Sequence, residues 1–227
     1  MDRRRKSAAA VLILALTLML GGCGSGGGQV DGGTDTAQTD DFTNIVEIKK
    51  DGTISNTTEA ALLPEDADEE LVKDFVLRSA SACNAGLGGE QIAVKKLTVK
   101  KDRVTLTMDY QSAEAFSAFH NYPFFCGTVS EAYEQGYNLD ITLTEAGYDA
   151  EKGSGEPASV GKEDLLAMGS RNILIAQLPP SETLTVQTGG KILYVCGEGI
   201  DLQKNSTVSL QGRETDGVRE TVYLVYK

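Results

Sequence analysis

The chain has 227 residues, 33 acidic and 21 basic, for a formal charge of −12 with its single histidine neutral. That balance argues against nucleic acid as a partner, because phosphate-backbone binding needs a basic footprint. One histidine and four cysteines also leave few groups from which a hydrolytic or metal centre is built.

The first 23 residues read as an address rather than as structure. Arg3-Arg4-Arg5-Lys6 is a basic start, and Ala8 to Leu20 is a 13-residue apolar run with Thr17 its one polar member. Small residues then lead to Cys23, completing the three-part pattern of an export signal. The run falls short of the ~20 residues that cross a hydrocarbon core, so a permanent transmembrane anchor is not expected. Ser7-Ala8-Ala9-Ala10 follows the basic cluster where a twin-arginine signal has a bulky apolar residue, so the cluster reads as an ordinary basic region.

Leu20-Gly21-Gly22-Cys23 resembles the lipobox of bacterial lipoproteins. The resemblance implies a signal peptide of residues 1–22, cleaved before Cys23, and a diacylglyceryl thioether (palmitate-type chains) on the Cys23 sulfur. It also implies an acylated amino group. Each buried methylene contributes about 0.8 kcal/mol, so two or more chains hold a protein stably at a membrane where one is marginal. The expected location is the extracytoplasmic face of the cell membrane. From Cys23 onward the chain carries 32 acidic and 17 basic residues, a formal charge of −15.

Gly24 to Asp41 is Gly, Ser, Thr and Asp with almost no apolar side chains, which predicts a flexible tether over residues 23–41. Residues 42–227 are then enough for a single extracytoplasmic domain, with a subdivision near 147–161 as the alternative; a chain of that length buries roughly 70% of its unfolded surface. Val46, Ile48 and Ile54 around Asp51-Gly52 predict a hairpin. The acidic run Glu65 to Glu70 lacks the glycine and distal glutamate of a calcium loop, and reads instead as a helix start facing the positive end of the dipole. Leu71, Val72, Phe75, Val76 and Cys83 fall near one face of that helix, with Gly86 as its stop.

Two strands follow around Lys100-Lys101-Asp102. Val104, Leu106 and Met108 alternate with polar residues, and a change of apolar phase at Lys95-Lys96 predicts a bulge. Tyr110 to Tyr137 holds eight of the fourteen aromatics. Ser112 caps a predicted helix burying Phe116 and Phe119, and Thr128 with Glu131 forms a capping box for a second that carries Tyr133 and stops at Gly136. Such a cluster reads first as helices lying on a sheet and second as a ligand platform. Tyr122, Tyr133 and Tyr137 are the candidate ligand-binding residues, their hydroxyls suiting a half-exposed groove.

Leu139, Ile141 and Leu143 predict a strand, Gly147 to Gly161 an exposed loop, and Lys162 to Met168 a short helix. Beyond it come predicted strands at 172–177, 183–188, 191–196, 207–211 and 220–226, with Gly189-Gly190 and Asp216-Gly217 as hairpin signals. Ile192-Leu193-Tyr194-Val195 is apolar on both faces and belongs inside a sheet. The segments Lys50 to Ile54 and Gly190 to Val195 also resemble uncharacterised lipoproteins of Gram-positive bacteria, a group that brings no activity with it.

Cys83, Cys126 and Cys196 lack the close spacing of a zinc site and leave any disulfide pairing among them open. Cys126 with His120 as thiol and base is the one nucleophilic pair the chain offers. Gly155 to Lys162 has the wrong spacing for a phosphate loop, and Ser159-Val160-Gly161-Lys162 stands without the companion motifs of penicillin-recognising enzymes. Asn56 and Asn205 open glycosylation sequons, to which no role is attached.

The expected fold is α+β, an antiparallel sheet with three or four helices packed on it. The leading functional expectation is a non-enzymatic, membrane-tethered module without a cofactor or metal, binding an envelope protein, peptide or glycan. The alternatives are an envelope hydrolase using Cys126 with His120 or a pair of carboxylates, and a purely structural lipoprotein.

Overall fold

The computed structural model describes residues 42–61, 68–100, 103–147 and 158–227. The expected export signal, Cys23, the expected tether, part of the acidic run, Lys101-Asp102 and residues 148–157 lie outside them. The chain enters on β1 (Thr43–Ile48), turns at Asp51-Gly52, and leaves on β2 (Ile54–Ala61). Gly52 has φ +82°, a conformation costly for any residue with a Cβ, and its N–H donates to the Lys49 carbonyl at 3.0 Å. Asp51 Oδ1 accepts from the Thr53 N–H at 3.0 Å and its hydroxyl at 2.7 Å, which holds the turn from inside. The predicted hairpin is present, with Val46, Ile48 and Ile54 all buried.

The described residues group into two compact units: residues 42–44 with Ser55–Asn121, and Ile45–Ile54 with Tyr122–Lys227. In the first unit, β3 (Ile92–Lys100) and β4 (Arg103–Tyr110) continue from β2 in the order β2-β4-β3. The register of β3 on β4 shifts between Val94 and Lys96, where the phase change predicted a bulge.

Against this sheet lie α1 (Glu69–Leu87) and α2 (Ala113–His120). Asp68 caps α1, its carboxylate accepting from the N–H groups of Glu70 and Leu71. Its buried stripe is Val72, Val76, Ala80 and Cys83, a spacing of four, four and three. Leu71 lies about 100° to the side and is 54% exposed, so the expectation that it joins the core face is corrected. The stop is corrected too: Gly86 is helical, and Gly88, at φ +76°, caps the helix by donating to the Asn84 carbonyl. The glycine that reaches the left-handed region ends the helix, not the first in sequence.

In the second unit, β5 (Phe124–Thr128), β6 (Leu143–Glu145), β7 (Ser159–Val160), β8 (Asn172–Ala176), β10 (Ile192–Cys196) and β15 (Val222–Tyr226) form a sheet ordered β5-β8-β15-β10-β6-β7. As expected, β10 lies inside it, and every residue of the neighbouring β15 is buried. On one face α3 (Val129–Glu134) and α4 (Lys162–Ala167) help enclose a core of Phe125, Val129, Leu143, Leu165, Ile173, Ile175 and Val225. Of the predicted strand at 139–143, only Leu143 is in β6. Leu139 is buried without being paired, because alternation reports burial and not partners.

The same unit holds β9 (Thr183–Gln187), β11 (Ile200–Lys204) and β12 (Thr207–Gln211), ordered β11-β12-β9-β1. Here β1 pairs with β9 in parallel, Val46 opposite Val186, so the sheet is mixed and the purely antiparallel expectation is corrected. Gly189-Gly190 is therefore not a hairpin: β9 pairs with β1 and β12, β10 with β15 and β6, and the two glycines carry the chain from one sheet to the other. Asp216-Gly217 does form a hairpin, with φ of +53° and +79°, between the two-residue strands β13 (Glu214–Thr215) and β14 (Val218–Arg219). The described residues are thus strand-dominant with four helices, in keeping with α+β.

Candidate functional site

The ends of β5, β8 and β15 bring Thr128, Asn172 and Tyr226 into one cross-strand row, Asn172 pairing with both neighbours. This row and Cys126 floor a cleft of about 750 Å³, within the range of small-ligand pockets. Its walls are the turn Ile48 to Gly52, the crossover Gly189-Gly190, Glu131 of α3, and Lys227. All of these residues belong to the second unit.

Each wall has a local cause. The capping box predicted for α3 is complete: the Thr128 N–H and hydroxyl donate to Glu131 Oε2 at 2.7 and 3.0 Å, and the Glu131 N–H returns to Thr128 Oγ1 at 3.2 Å. The crossover is held by Thr188, whose hydroxyl donates to the Gly190 carbonyl at 2.7 Å and whose N–H donates to the Ser206 carbonyl at 2.9 Å. A Cβ on Gly190 would stand 2.1 Å from the Lys227 carbonyl oxygen, so only glycine lets these two segments meet. A Cβ on Gly189 would stand 3.3 Å from Lys50 Cγ.

The charges of the cleft differ in how they are held. Backbone and hydroxyl hydrogen bonds from Thr128 keep the Glu131 carboxyl below its ordinary range. The Thr53 hydroxyl, the Thr53 N–H and nearby Lys49 do the same for Asp51. Both acids are therefore ionised and already hydrogen-bonded. Burial pushes the Cys126 thiol well above its ordinary value, and burial followed by the neighbouring Cys126 pushes up the Tyr226 phenol. A raised thiol is the opposite of an activated nucleophile.

The three tyrosines singled out in the sequence do not converge. Tyr122 is 4% exposed, so its hydroxyl does not sit in a half-exposed groove; the ring lies in the core next to β5. Tyr133 projects from α3 and is 59% exposed. Tyr137 is half-buried, its ring centroid 4.7 Å from that of Phe125. None of the three lines the 750 Å³ cleft or a shallower hollow of about 450 Å³ beside β11 and β12.

His120 is buried in the first unit, its Nε2 3.0 Å from the Tyr110 hydroxyl and its ring 4.2 Å from that of Phe116. Asn56 is 3% exposed and donates to Asn44 Oδ1 at 2.6 Å, which rules out a glycan on that sequon in the folded state. Cys126 and Cys196 carry free thiols, and among the described residues no group of three or more His, Cys, Asp or Glu side chains is placed to hold a metal ion. Also among them, no helix is long and apolar enough to cross a membrane.

Sequence reasoning found Cys126, Thr128 and Glu131 but assigned them to a thiol pair and a helix cap. It read Asp51-Gly52 and Gly189-Gly190 only as turns, and passed over Asn172, Tyr226 and Lys227. The usable signal was the Gly189-Gly190 pair, since adjacent glycines also mark close backbone approach. No protein-family model, curated protein or solved structure matches the chain.

Proposed function

We propose that this chain is a lipid-anchored extracytoplasmic binding module whose ligand occupies the cleft over β5, β8 and β15. The observation that carries the reading is the cleft itself: polar and charged groups around a concavity of ligand size, built on buried strands rather than on loops alone. The anchor rests on Leu20-Gly21-Gly22-Cys23 and the apolar run before it. Tyr122, Tyr133 and Tyr137 are set aside as the ligand platform, since the cleft offers a better-defined surface.

The rival hydrolytic reading has Cys126, Asp51 and Glu131 at the same cleft. Its obstacle is protonation: the thiol is pushed toward its neutral form, and both carboxyls are held ionised where a general acid must carry a proton. Two measurements test the proposal. Cys23→Ala should release the protein from the membrane fraction under high-salt washing, and retention would sink the anchor. Cys126→Ala should abolish no hydrolytic activity; hydrolysis of an envelope substrate that disappears in this variant would replace the binding reading with the enzymatic one.

A further inference from the structure

Resting on that reading, we infer that the cleft takes a phosphate group, gripped between Lys50 and Lys227 over the Gly189-Gly190 crossover. The chain has an excess of twelve negative charges, yet three lysines, Lys49, Lys50 and Lys227, line this one cleft. Its two ionised acids are outnumbered by the three lysines and are already hydrogen-bonded, Glu131 to Thr128 and Asp51 to Thr53. Among the described residues, neither Lys50 nor Lys227 makes an ion pair.

Residues 177 positions apart are drawn to one dipeptide by the missing side chains of Gly189 and Gly190. The Lys50 stem passes over the first, and the Lys227 backbone and Cβ over the second. Gathering cations in a concavity is unfavourable unless an anion is shared between them. Among the described residues the N–H groups of Gly189 and Gly190 donate no hydrogen bond, so two backbone donors on the same segment are available to ligand oxygens. Asn172 adds a side-chain amide to the lining.

The donor set selects the class of anion. No arginine lines the cleft, so the flat two-pronged grip that suits a carboxylate is missing. Two lysines whose stems lie beside Gly189 and Gly190, with two backbone N–H groups on the same segment, suit oxygens that point in several directions, as those of a phosphate do. The same chemistry is presented by free phosphate and by a phosphodiester of a lipid headgroup or envelope polymer.

The test is hydrogen–deuterium exchange of the full chain at low salt, titrated separately with inorganic phosphate, glycerophosphoglycerol, succinate and the neutral sugar chitotriose. Phosphate or the diester should protect peptides covering Lys49–Gly52 and Gly189–Lys191. Stronger protection by inorganic phosphate identifies a free anion, and stronger protection by the diester an esterified one. Lys50→Ala and Lys227→Ala should each weaken binding about tenfold. Both side chains are exposed, so folding should be unaffected. Protection by succinate equal to that by phosphate overturns the assignment to phosphate. Protection by chitotriose alone overturns it while leaving the binding reading in place. Protection by none of the four overturns both.

Discussion

Tyr110 and Tyr226 are both buried tyrosines at the ends of strands, and their surroundings differ. The Tyr110 ring meets Phe116 edge-on at 5.1 Å and Phe119 at 5.8 Å, and its hydroxyl finds His120. Phe116, Phe119, His120 and Met108 around it are all buried, a packed arrangement that contributes stability. Tyr226 lines a cleft whose other walls are two turns, a helix start and a lysine. Aromatic residues clustered in sequence built a core, while the concavity came from glycines and lysines that no local pattern groups together. A ligand surface needs unspent donors and empty volume, and a cluster of large apolar side chains fills volume instead.

The strongest challenge to this contrast is Phe116→Ala. A fully buried ring in a sealed cluster should cost about 3–5 kcal/mol of unfolding free energy in urea melts. A loss below about 1 kcal/mol would mean that the cluster is not closed. At the cleft, Gly190→Ala forces a methyl group against the Lys227 carbonyl and should cost about 1–3 kcal/mol. Faster amide exchange at Lys227, whose N–H donates to the Lys191 carbonyl at 3.0 Å, should accompany it. Unchanged stability would show that the two segments part readily.

A smaller effect sharpens the picture of the rim. Thr128→Ala removes the capping box of α3 and should cost about 1 kcal/mol. The folded Glu131 carboxyl titrates below its ordinary value of 4.5, so the box contributes in full above that pH. Its contribution fades as pH falls through the lowered value. The difference between wild type and variant should accordingly be largest at neutral pH and shrink under acid, read from thermal melts across the range. The least disruptive test is chemical. Burial that raises the Cys126 thiol should slow its alkylation by iodoacetamide at pH 8 at least tenfold relative to glutathione, a rough figure read by peptide mass spectrometry. Alkylation at the free-thiol rate would reopen nucleophilic chemistry at the cleft.

Local chemistry was legible where a few neighbouring residues suffice. Thr128 and Glu131 announce a capping box, Ser112 a helix start, Asp51-Gly52 a turn, and the phase change at Lys95-Lys96 a bulge; all four are present. These features depend on backbone donors and conformations within three or four residues, so the sequence states them directly. The burial of Val104, Leu106 and Met108 followed from alternation in the same way.

Partner choice was beyond that range. Nothing in Val46 says that it lies parallel to Val186, nothing in Gly189-Gly190 distinguishes a hairpin from a crossover between sheets, and Lys50 carries no mark of Lys227. The sequence by itself determined the N-terminal caps of α2 and α3, the turns at Asp51-Gly52 and Asp216-Gly217, and the buried face of β4. Only the tertiary structure decided which strands pair and which distant residues share a cleft. Those outcomes depend on backbone registers and close approaches between segments far apart in the chain, which no local spacing encodes.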